Sequence, residues 1–109
     1  MKLTKTMKNK LEKVAKRIAD LTEANAHGEA IAQAAMSFST LYAVAGMDGA
    51  GHNPYRIAEG FLWEINAEHS RLGTLPCRLG SLRYAIGKAV FELARQDFPE
   101  AAAILEKGF

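Results

Sequence analysis

Three histidines, one cysteine and a few hydroxyls are the groups in this 109-residue chain that could move a proton or attack an electrophile. His69 is the most suggestive, because Glu64 and Glu68 lie near it in sequence. At about 100° per residue the two glutamates fall beside Arg71, on a face well away from His69, so Glu68 and Arg71 form an ordinary surface pair. A di-iron bundle requires Glu-x-x-His twice, and the residue three before His69 is Asn66. Cys77 stands between Pro76 and Arg78 near an expected helix start, a position that lowers a thiol pKa. A nucleophile also needs a positioned base, and neither His27, His52 nor His69 is tied to Cys77 by any local signature. Ser37, Ser39 and Thr40 lack an elbow motif.

The one glycine-rich loop, residues 46–53, is equally bare of a cradle. A phosphate loop needs Gly-Lys-Ser/Thr after its first glycine, and no such lysine follows. A dinucleotide fingerprint follows a strand, whereas a helical pattern precedes Gly46. A calcium loop starting at Asp48 would place Glu59 at its twelfth position, but Ala50, His52 and Asn53 stand where oxygen ligands or glycine belong, and Pro54 starts a helix inside it. The expectation is a connector whose glycines relieve backbone strain, with no catalytic residue, no metal and no cofactor.

The elements that would carry these residues are helices. Met7, Leu11, Val14, Ile18 and Leu21 alternate spacings of four and three, predicting a first helix over about 4–24 with one seam on a partner. Asn25 and Gly28 tolerate a left-handed backbone and mark the turn. A second helix follows over 28–46, with Phe38, Leu41 and Tyr42 as its packing side chains among many alanines. A third spans 53–73, capped by Asn53 and Pro54 and closed by Gly73. Ile57, Ala58, Phe61, Leu62, Ile65, His69 and Leu72 share its broad face, and Trp63 points almost opposite. A fourth runs from 75 or 76 to 96. It is apolar nearly all round, and Gly80, Gly87 and Ala94 fall seven apart on a seam open to a close neighbour, either the third helix or a second copy of the chain. Residues 101–106 form a short last helix, stapled by Ile104 and Leu105 and closed by Gly108. The expected fold is all-α: one domain over 1–109, a compact bundle of four main helices plus a short C-terminal helix.

Charge is unevenly spread. The net charge is +2, yet residues 1–17 hold seven bases against Glu12, for +6, and the remainder carries −4. The single cysteine fits a reducing compartment, and no run of about 18 apolar residues spans a membrane. A cytoplasmic protein is the expectation.

With chemistry unsupported, binding is the remaining class. Aromatic and arginine side chains dominate binding hot spots, so Trp63, Tyr55, Arg56, Tyr42 and Arg83 are the candidate anchors for a protein partner. The function expected is that of a regulator, inhibitor or adaptor, a class that includes the phage and plasmid accessory proteins that block host systems. The alternative is nucleic-acid binding by Lys5, Lys8, Lys13, Lys16 and Arg17 on the first helix. A helix-turn-helix across the third and fourth helices fits poorly, because the fourth is too apolar to leave its outer face in a groove.

Overall fold

A computed structural model describes residues 2–47, 54, 56 and 90–109. Every regular element among them is helical: α1 (Lys5–Glu23), α2 (His27–Val44), α3 (90–97) and α4 (Pro99–Glu106). Pro54 and Arg56 are helical too, at the start of the expected third helix. The rest of that helix, the fourth helix before residue 90 with its Gly80–Gly87 seam, and residues 48–53 of the glycine loop lie outside the described residues.

Local chemistry sets the ends of the first two helices. Thr4, extended at ψ 160°, accepts a hydrogen bond from the Met7 amide and caps α1, satisfying one of the amides a helix start leaves without a partner. At the other end Asn25 takes φ 61°. Its amide donates to the Thr22 carbonyl and that of Ala26 donates to Leu21 at 2.8 Å, the paired bonds of a Schellman turn. α2 closes in the same way: Gly46 has φ 72°, and the amides of Gly46 and Met47 donate to Ala43 and Tyr42. Of the two residues expected to shape the first turn, only Asn25 is left-handed; Gly28 lies inside the first turn of α2. The last helix begins two residues earlier than its periodicity indicates, because Pro99 supplies a fixed φ where no amide is needed.

α1 packs against both α2 and α4, and this explains which of its residues are buried. Leu11, Ala15 and Ile18 are sealed, while Met7, Val14 and Leu21 are only partly covered. The buried stripe is thus rotated from the four-three seam toward Ala15. Gly108, just past α4, lies against that stripe: a Cβ at 108 would stand 2.5 Å from the Ala15 carbonyl oxygen and 2.8 Å from Ile18 Cβ. Only the missing side chain lets the two backbones meet.

Aromatic side chains join α2 to the C-terminal elements. Phe38 meets Phe91 edge to face at 5.9 Å, and Tyr42 meets Phe98 in the same manner at 4.7 Å. Phe91 also carries the ring of Phe109 at 5.1 Å. Such pairs add about 0.5–1.5 kcal/mol each beyond the area they bury. Ala30, Ala34, Ala35, Ala94, Ala101 and Ala102 are buried in the same core, so the small residues let helices approach while the larger side chains supply most of the buried area.

Candidate binding surfaces

Tyr42 is not available to a partner. It is 1% exposed, and its hydroxyl donates to Asp97 Oδ2 at 2.5 Å. Burial chiefly, and then the hydrogen bond to and negative charge of Asp97, push the phenol pKa far above its ordinary value. The expectation that Tyr42 anchors a partner is therefore corrected: it is a core side chain, as its place beside Phe38 and Leu41 on the apolar face of α2 also indicated. Arg56 is exposed. Trp63, Tyr55 and Arg83, the remaining candidate anchors, lie outside the described residues, as do His52, His69 and Cys77.

The basic residues of α1 divide into two sets. Lys8 Nζ is 2.7 Å from Glu100 Oε1 on α4, and Glu12 faces Lys107 at 3.6 Å. These pairs clasp α4 to α1 from the rim, and Lys8 is the first cause of the lowered Glu100 pKa. Both are solvated and contribute little to stability. Lys8, expected among the anion-binding lysines, thus has a partner within the chain. Lys5, Lys13, Lys16 and Arg17 are exposed, as are Lys2 and Lys10, and none of them joins an ion pair among the described residues. Residues 5, 13 and 16 project from the side of α1 opposite Leu11, Ala15 and Ile18.

A second exposed strip runs along α2. Met36 (49% exposed), Val44 (66%) and Met47 (37%) remain in contact with solvent. Residues 36, 40, 43 and 44 share one line of the helix, with Met47 just past its end. Thr40 Oγ1 on that line donates to the Met36 carbonyl, and neighbouring Ser37 Oγ donates to Gln33, each at 3.0 Å. Both hydroxyls are turned onto their own helix, so the strip is less polar than its composition. Glu29 is the one charged residue in α2 under ordinary protonation.

Sequence reasoning missed Met36 and Val44, although their signal was present: both fall off the alanine-rich face of the second helix. No group of three or more histidine, cysteine or acidic side chains able to hold a metal occurs among the described residues, and none of the helices searched there is long and apolar enough to cross a membrane. Comparison of the chain with protein-family models, with curated proteins and with solved structures finds no match.

Proposed function

We propose that the chain is a small, non-catalytic helical binding protein that acts as a cytoplasmic regulator, inhibitor or adaptor by occupying the surface of a protein partner. We further propose that the described helices belong to a compact bundle of four main helices with α4 as the short C-terminal addition. The observation that carries the binding reading is the strip of Met36, Val44 and Met47 on a helix with almost no charge. Unbranched methionine adapts to irregular partner surfaces, and it is enriched at interfaces where lysine and glutamate are depleted. Trp63, Tyr55, Arg56 and Arg83 are retained as proposed anchors because of their residue types.

The test replaces Met36, Val44 and Met47 together by serine. Each is exposed, so helicity and melting temperature should stay close to the parent, since surface changes typically cost within about 0.5 kcal/mol each. A partner captured from the native host, then purified and titrated calorimetrically, should lose at least about tenfold in affinity, or about 1.4 kcal/mol. Undiminished affinity for the folded triple variant would remove the strip from the interface. Trp63→Ala, assayed the same way, separates an anchor, which loses binding with the melting temperature unchanged, from a core residue, which loses stability.

A further inference from the structure

We propose that the outer face of α1 is a second, separate interaction surface, one that takes the phosphate backbone of a nucleic acid without reading its sequence. The face carries Lys5, Lys13 and Lys16 on the side opposite the buried stripe, flanked by Lys10 and Arg17, all exposed. Of the acidic groups nearby, Glu12 is paired with Lys107 and Glu100 with Lys8, while Asp20 and Glu23, exposed at the C-terminal end of the helix, offset only part of the positive charge. From Lys5 to Arg17 the row rises about 18 Å, at 1.5 Å per residue, long enough to follow several phosphates of one strand.

The apolar residues of α1 decide the class of anion. Leu11, Ala15 and Ile18 are buried, and Met7, Val14 and Leu21 are packed against the core. The outer face therefore has no apolar side chain to insert into a bilayer, which an interfacial helix requires. It has no aromatic or aliphatic anchor of the kind that supplies most protein–protein affinity. It offers a majority of cations with Asn9, and Asp20 and Glu23 only toward its C-terminal end, and a phosphate backbone is bound by charge neutralisation and counterion release.

Its first lysine is also held against a local preference. The first turn of α1 contains no acidic residue, and Lys5 sits at the positive end of the helix dipole, where basic side chains are disfavoured. A sequence that breaks a local rule in this way marks a functional position more often than a neutral one. The surface lies on a different helix from the Met36–Val44 strip, so the two readings fail independently.

The experiment measures the full chain binding a fluorescein-labelled DNA duplex of arbitrary sequence, about 30 base pairs long, by anisotropy across a salt series. Parallel arms use phosphatidylglycerol vesicles and polyglutamate. The expected result is affinity that falls steeply with salt and is indifferent to duplex sequence. The variant Lys5→Gln/Lys13→Gln/Lys16→Gln should lower the slope of log K against log salt by about 0.9 per lysine, so by between about two and three. Circular dichroism and melting should match the parent, because none of the three makes a described ion pair. No retention of duplex at low salt, or a slope unchanged in the folded variant, overturns the proposal. Tighter binding to vesicles or to polyglutamate than to duplex overturns it as well, by assigning the face to lipid or to an acidic protein.

Discussion

The phenol of Tyr42 and the carboxylate of Asp97 stand 2.5 Å apart although 55 residues separate them in sequence. The bond ties the last turn of α2 to the end of α3, with Phe98 stacked edge-on against the same tyrosine. One side chain thereby fixes where α2, α3 and the start of α4 converge.

Tyr42→Phe should keep the ring packing and lose only the hydroxyl. A hydrogen bond to a charged acceptor contributes about 1.5–3 kcal/mol, so a loss in that range or just below it is expected in urea unfolding at neutral pH. The alkaline limb should change as well. The phenol pKa is raised in the folded chain, so its contribution is complete below the unfolded value of about 10 and declines above it, because the unfolded state releases the proton first. A shallower loss of stability above about pH 10 in the variant than in the parent is the check. Identical alkaline profiles would show that the buried bond is not formed in solution.

Gly108→Ala tests the contact with α1. The added methyl would sit 2.5 Å from a backbone oxygen of Ala15, and backbone cannot swing aside as a flexible side chain does. Overpacking of this kind costs about 1–3 kcal/mol. Thermal melting should register it, and an unchanged melting temperature would mean that the C-terminal turn is not seated on α1.

Asn25 holds a left-handed conformation that most residues reach only at a cost of about 1–2 kcal/mol. Asn25→Gly should be neutral or slightly stabilising, and Asn25→Val clearly destabilising. The ranking of the two in denaturant midpoint is the measurement, and the reverse order would contradict the Schellman turn.

The clasp between Lys8 and Glu100 should appear on the acid side. The carboxyl pKa is lowered by its lysine partner, so the stability it gives is present above the unfolded value of about 4.3 and is lost as pH falls through the folded one. Glu100→Gln should flatten that part of the acid profile slightly at low salt. At ionic strengths near about 1 M the difference should vanish, since the pair is solvated.

How far these features could be read in advance depended on whether their cause was local. The α1 and α2 boundaries were legible to within two residues because Thr4, Asn25 and Gly46 act on amides and carbonyls one turn away. The exact buried stripe of α1 was not. A four-three spacing assumes one neighbour, and α1 has two, so the seam moved toward Ala15, a residue too small to register as hydrophobic signal. Tyr42 stands both on the packing face of its helix and among the candidate anchors, and nothing local decides between them, because its hydroxyl partner Asp97 is 55 residues away. Likewise Lys8 looked the same as Lys5 until α4 brought Glu100 beside it.

The seating of Gly108 on Ala15 and Ile18 bears on the order of events during synthesis. Helix α1 leaves the ribosome well before residues 99–108, whose surface closes over it. Until those residues emerge, the stripe of Leu11, Ala15 and Ile18 has α2 to pack on but lacks the cover of α4 and Gly108. A chain stopped before residue 99 would therefore leave part of that stripe facing water.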